Sequence, residues 1–223
     1  MSTINIAIDG PAGAGKSTIA KMVSAKLGYI YVDTGALYRT IALYITENNI
    51  PDEDIEKSLE NADVSLKFID GAQRVFLGGR DVSDLIRTPE ISMAASRTSA
   101  IPAVRAYLFG TQQKIARENN VIMDGRDIGT VVLPDADVKI FLTASAEERA
   151  SRRFKELSVK PDCPDYEEIL RDIIQRDYQD MNRETAPLRQ ADDAVLVDTT
   201  KLNLEESADQ IISIIKEKTG GGK

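Results

Sequence analysis

Apolar residues near the start of the chain form a short run, Ile4-Asn5-Ile6-Ala7-Ile8, which predicts a strand buried at the centre of a sheet. It leads into Gly10-Pro11-Ala12-Gly13-Ala14-Gly15, a segment that cannot be regular structure. From Lys16 the period changes. Ile19, Met22, Val23 and Leu27 fall on one helical face, and Gly28 is a natural stop. Strand, glycine loop and helix, in that order, open a parallel α/β fold. Four later apolar runs supply further parallel strands: Tyr29 to Val32, Val121 to Met123, Val138 to Leu142 and Ala194 to Val197. An amphipathic helix over about Leu204 to Lys218 follows the last, with Ala208, Ile211, Ile212 and Ile215 on one side. The tail, 219–223, is expected to be disordered.

One region breaks the alternation of strand and helix. Val64 to Phe68 alternates with period two, Asp70-Gly71 supplies a turn, and Val75-Phe76-Leu77 follows. This predicts an antiparallel hairpin or small sheet inserted between core strands. Helical stretches are expected on each side, about Tyr38 to Asn48 and about Ile91 to Glu118.

Composition narrows the chemistry. The chain has 223 residues, 42% hydrophobic and 29% charged, as suits one soluble globular domain. Its net charge of −8 gives no general attraction for nucleic acid, so an anion site requires a local cluster of cations. There is no histidine, which excludes Ser-His-Asp hydrolysis, histidine zinc sites and a histidine general base. The single Cys163 forms no internal disulfide and fits a reducing compartment. No apolar run suits a signal peptide or a membrane span, so the cytoplasm is the expected location.

Gly10, Gly15, Lys16 and Ser17 complete G-x-x-x-x-G-K-[ST], within the segment Gly10-Pro11-Ala12-Gly13-Ala14-Gly15-Lys16-Ser17-Thr18. Glycines let backbone N–H groups point into one concavity, and the helix N-terminus adds positive potential. Lys16 then reaches the β- and γ-phosphates of a nucleoside triphosphate, and the Ser17 hydroxyl meets magnesium. A chance glycine turn is the alternative, but the flanking strand and helix fit the phosphate loop. Neither N-K-x-D nor D-x-x-G occurs, so a GTPase is disfavoured.

Further cations follow strands. Asp33 to Arg39, directly after the second strand, places Arg39 where a second phosphate could sit, although taken alone a capped helix with a solvated arginine is the slightly better reading. Asp124 follows another strand and could order magnesium's water shell. Arg126 offers a planar fork for phosphate, and Asp127 an acceptor for an exocyclic amine; an ordinary turn with an internal ion pair is the alternative. Arg149, Arg152 and Arg153 share one helical face, as do Arg176, Asp180 and Arg183. For any one of these a salt-bridged surface helix is the simpler account. Their recurrence beside a phosphate loop in an acidic chain points to phosphoryl transfer, which needs cations around the moving group.

DGPAGAGKST, DTGALYR, DGRDIGTVVLPDADVKIFLTAS, EERASRR and RDYQDMNRETAPL together resemble the bacterial cytidylate kinases, a group of nucleoside monophosphate P-loop kinases, over essentially the whole chain. The resemblance implies a three-layer α/β/α fold with a parallel five-stranded core sheet. It divides the single domain into a core (1–33, 119–148, 166–218), a CMP-binding region with the β insert (34–118) and a short lid (149–165). It implies transfer from ATP to CMP or dCMP with Mg2+; apart from the resemblance, a monomer is expected, with no nucleic-acid or membrane partner. In the family pattern Thr34 lies by the acceptor site, and Arg39 and Arg126 hold the CMP phosphate. Ser96, Arg105 and Asp127 match positions that read cytosine. Arg176, Asp180 and Arg183 match sugar and phosphate contacts. Arg149 and Arg152 match the ATP side at the start of the lid, with Arg153 joining Lys16, Arg126 and Arg183 as catalytic cations. The rivals are a P-loop kinase for another small acceptor and a nucleotide-dependent switch that transfers nothing.

Overall fold

The computed structural model describes residues 3–69, 71–159 and 163–220. Strand β1 (Asn5–Asp9) enters the glycine loop, and helix α1 (Lys16–Leu27) starts on Gly15 and stops on Gly28, both left-handed. Strand β2 (Ile30–Asp33) passes without a loop into α2 (Thr34–Glu47). The Asp33 side chain accepts from Ala36 N–H at 2.9 Å, so the helix begins four residues before the expected Tyr38.

After a one-turn helix α3 (Ile55–Ser58), strands β3 (Val64–Ile69) and β4 (Ala72–Leu77) form the expected antiparallel hairpin. Asp70 of its turn lies outside the described residues. A short third strand, β5 (Arg80–Asp81), pairs with β4 and completes a small sheet. The long helix expected over 91–118 is two helices, α4 (Pro89–Thr98) and α5 (Pro102–Glu118). Proline has no N–H and fixes φ, so Pro102 opens a new helix and cannot continue the old one.

Strand β6 (Val121–Gly125), a π-helical turn (Ile128–Val132) and β7 (Val138–Thr143) follow. Then come α6 (Ala146–Leu157), α7 (Tyr166–Asn182), β8 (Val195–Asp198) and α8 (Leu204–Lys218). Of the expected lid, 160–162 lie outside the described residues, as do 221–223 of the expected tail.

The main sheet has five parallel strands in the order β2-β6-β1-β7-β8. Side chains alternate across it. Ile6, Ile8, Ile122 and Ile140 pack under α1 and α8 with Ile19, Val23, Ile211 and Ile215. Ala7, Val32, Val121 and Met123 face the other way, with Ala116 of α5 and Val132 of the π turn. This is a three-layer α/β/α arrangement. Each fully buried isoleucine contributes about 2 kcal/mol. A separate core under α2, α4 and α5, including Leu37, Ile41, Ile86 and Leu108, takes in Val75 of the small sheet. Because all five strands run the same way, their carboxyl ends open on one edge, where β1, β2 and β6 deliver Asp9, Asp33 and Asp124.

Candidate active site

At that edge a cleft of about 340 Å³ lies between the glycine loop and the residues after β2 and β6. Its walls include Gly13, Gly15, Lys16, Ser17 and Thr18 on one side and Arg39, Arg126, Arg176 and Arg183 on the other. Gly10 has φ 150°, and a Cβ there would lie 1.9 Å from Leu142 O, so only glycine lets the loop leave β1 against β7.

Lys16 is buried, with Nζ donating to Pro11 O at 2.7 Å. Burial, reinforced by the Arg126 charge, lowers its pKa to about 7, against the pull of Asp124 and Asp9. Ser17 Oγ donates to Asp124 Oδ2 at 2.7 Å, and the Tyr31 hydroxyl donates to Oδ1 at 3.1 Å. Thr34 Oγ1 donates to the Asp124 backbone carbonyl at 2.7 Å. Burial, with Asp33 beside it, raises the Asp124 carboxyl to about 6. Burial and then Asp124 push the Tyr31 phenol upward, so it remains a donor.

On the opposite wall Arg39 Nη2 pairs with Asp33 Oδ2 at 2.9 Å, and its buried Nε has no partner. Asp33 is itself held from the small sheet. Gln73 Oε1 accepts from Asp33 N–H at 2.8 Å, and Gln73 Nε2 donates to Asp33 O at 3.1 Å. Arg126 Nε pairs with Asp180 Oδ2 at 2.8 Å. Burial opposes ionisation of Asp180, but Arg126 prevails and holds its pKa below the ordinary value. Burial lowers the pKa of both Arg176 and Arg183, with Arg126 adding to it at Arg176 and Arg105 at Arg183. Arg176 Nε and Arg183 Nη2 are buried without hydrogen-bond partners. Guanidinium groups crowded together with unused N–H donors are a site for an anion.

Deeper in the cleft Arg105 pairs with buried Asp127, whose other oxygen is 3.8 Å from Arg183 Nη2. The Arg105 guanidinium also lies over the Tyr38 ring, 5.5 Å from its centroid. Ser96 presents its side of α4 to the same cleft. The cleft thus combines a glycine loop at a helix N-terminus, guanidiniums facing it and a polar end with a buried carboxylate.

Three expected cations are elsewhere. Arg149 is buried, bonded to Ala12 O, Ala144 O and the Asp177 carboxylate. Arg152 pairs with Glu148 and donates to Thr199 O at 2.8 Å. Arg153 is exposed and pairs with Glu156 at 3.1 Å. None lines the cleft. Pro11 and Ala14 shape the loop from behind its lining, Pro11 through its carbonyl to Lys16 and Ala14 in the core.

Sequence reasoning passed over Asp9, Tyr31, Tyr38, Gln73 and Asp177. Asp9 is buried. Its two oxygens accept from Ile128 and Gly129 N–H at 2.8 and 2.7 Å, and burial still raises its pKa to about 6. A charged residue ending a buried apolar strand was the available signal for it. Gln73 and Asp177 carry no such signal, since their partners are remote in sequence.

Among the described residues no helix is long and apolar enough to cross a membrane, and no group of three or more carboxylate or cysteine side chains could hold a metal. A family model described as Cytidylate kinase matches residues 6–217. A curated protein named Cytidylate kinase from Caldicellulosiruptor saccharolyticus is 53% identical over 223 residues, covering 99% of each chain. Another of that name from Geobacter sulfurreducens is 50% identical over 216 residues, covering 96% of this chain and 93% of its own. A solved structure of an uncharacterized protein from Eubacterium ventriosum superposes with a TM-score of 0.57 at 13% identity, over 96% of this chain and 99% of that one, a likeness of fold alone.

Proposed function

The chain belongs to the cytidylate kinase family, and we propose that it moves the γ-phosphoryl of ATP onto the phosphate of CMP, or dCMP, giving ADP and CDP or dCDP. The observation that carries this reading is the single cleft in which Lys16 and Ser17 face Arg39, Arg126, Arg176 and Arg183. One wall suits the β- and γ-phosphates, held by loop N–H groups, and the other suits a monophosphate. Asp127 accepts from the C4 amine of cytosine, with Ser96 and Arg105 beside it. Uracil would present a carbonyl oxygen to the same carboxylate, so a buried polar pair rejects it. Asp180 and Arg183 meet the sugar side.

The acceptor is already an oxyanion, since the second phosphate pKa is about 6. No general base is then required, which agrees with a chain lacking histidine. Lys16, Arg126 and Arg183 hold the two phosphate chains in line and stabilise charge as the bond to the γ-phosphorus forms and the bond to the leaving ADP oxygen breaks. Ser17 and Asp124 would hold magnesium arriving with ATP, and the ion would supply charge neutralisation there. The donor set fits it: one hydroxyl, Ser17, and one carboxylate, Asp124, both oxygen, 2.7 Å apart and too few for a cage without the nucleotide. Arg149, Arg152 and Arg153 could turn spare N–H donors, or those now on Ala12 O, Thr199 O and Glu156, towards ATP. Arg153, exposed, gives up least. The reading includes a lid over 149–165, a monomer and a cytoplasmic setting.

The test is ADP formation by purified protein with Mg-ATP and a panel of acceptors: CMP, dCMP, UMP, AMP and a non-nucleotide acid. CMP and dCMP should dominate. Absence of CDP, or equal rates with AMP, would refute the reading.

A further inference from the structure

We propose that Asp9 is a positioning residue that locks the turn carrying Asp127 to the phosphate loop, so that filling one nucleotide site tightens the other. This rests on the reading that Asp127 recognises the acceptor base. Asp9 is the last residue of β1, immediately before Gly10, and its backbone is in register with Gly125 on one side and Phe141 on the other. Its position is therefore set by the sheet and by the loop that leaves it. The side chain reaches over the end of β6, where Oδ1 accepts from Ile128 N–H at 2.8 Å and Oδ2 from Gly129 N–H at 2.7 Å. These are the first two amides of the π turn, and no intrahelical acceptor exists for them.

Asp127, at the cap position of that turn, does not cap it. Its carboxylate is committed to Arg105. Asp9 does the capping from another strand, which frees Asp127 to face the cleft. A Cβ on Gly129 would crowd Lys139 Cδ at 3.2 Å and touch Asp9 Oδ2 at 3.4 Å, so the turn packs in direct contact with the Asp9 carboxylate. Removing the Asp9 carboxylate would leave two buried N–H groups unpaired beside the residue that reads the base. Ser17 ties the loop to Asp124 on β6, and the Asp9 side chain carries a shift of the loop past the end of that strand to the turn that holds Asp127.

The test uses the full chain and three measurements. CMP and UMP affinities are taken by calorimetry with and without a non-hydrolysable ATP analogue. The proteins are wild type, Asp9→Asn, Gly129→Ala and, as reference, Asp127→Ala. In wild type the analogue should tighten CMP by about 5-fold or more. In Asp9→Asn one amide nitrogen opposes a backbone N–H, so the enhancement should fall towards none and CMP affinity should drop about 10-fold, the loss of roughly one hydrogen bond. Affinity for the analogue should hold or rise, because a negative charge near Lys16 is gone. Gly129→Ala should move in the same direction, less far. Hydrogen exchange at the Ile128 and Gly129 amides of wild type should slow when the analogue is added, a readout that needs no variant.

Unchanged CMP-to-UMP ratio and unchanged enhancement in Asp9→Asn would overturn the proposal. So would equal losses for analogue and CMP, or exchange at the two amides indifferent to the analogue. If wild type itself fails to prefer CMP over UMP, the assigned function is at fault. If Asp127→Ala erases the preference while Asp9→Asn keeps it, only the role of Asp9 is lost.

Discussion

Replacing Lys16 with Met should stabilise the empty protein while destroying its activity. Lys16 is buried, and its folded pKa of about 7 lies well below the ordinary 10.5. Each pH unit of such a gap is worth about 1.36 kcal/mol, so the charged lysine costs the folded state ~4 kcal/mol at pH 7. Met keeps the aliphatic stem and loses the bond to Pro11 O, worth ~1 kcal/mol. The net gain is roughly 3 kcal/mol, or about 6–12 °C in Tm for a chain of this size. The pH dependence has a definite sign. The folded pKa is below the unfolded one, so between pH 7 and 10.5 the folded state holds fewer protons and wild-type stability rises with pH. The advantage of Lys16→Met should therefore be largest at or below pH 7 and fall to about a third by pH 9. Calorimetric or denaturant unfolding of both proteins without nucleotide, at the two pH values, measures this. Phosphoryl transfer by the variant should be lost by about 10²–10³-fold or more. With Mg-ATP added, wild type should regain ground by mass action and the variant should not. A variant that melts at or below wild type at pH 7 would refute the view that this buried charge is held at the expense of stability. Full activity would remove Lys16 from the reaction.

Arg126→Ala should lower kcat by about 10²-fold through lost charge stabilisation, and lower Tm because Asp180 keeps its burial without its partner; a change in KM alone would contradict this role. Asp127→Ala should narrow the CMP-over-UMP ratio of kcat/KM by about 10-fold or more, and an unchanged ratio would remove it from base recognition. Chelating magnesium should stop transfer. Asp124→Asn should raise the magnesium concentration for half-maximal binding of an ATP analogue by about 10-fold, and an unchanged titration would exclude Asp124 from the metal's surroundings.

Local signals made much of this legible. The glycine loop, the strand ends and the hairpin each announce themselves within a dozen residues. Helical spacing groups the three arginines of α6 on one face, and the family resemblance assigns them to the ATP side. In the fold each has a different protein partner: Asp177, Thr199 and Glu156. Spacing fixes where a side chain starts and not which acceptor it finds. The break at Pro102 was readable from proline chemistry yet was submerged in a continuous apolar period. The support of Asp127 by Asp9, 119 residues away at Ile128, has no local trace, and the same holds for Gln73 with Asp33.

The Gln73 amide deserves a mechanical reading. Its C=O and NH2 engage the N–H and C=O of Asp33 as a neighbouring peptide group would, so one side chain imitates a rung of β-ladder. The small sheet is thereby spliced to the first turn of α2 by a joint that resists shear but contains no shared strand. An appendage fastened in this manner will travel with the helix bearing Arg39 as one lever. Val75, packed in the core beneath α2, and the Arg80–Glu47 ion pair brace the same joint from either side.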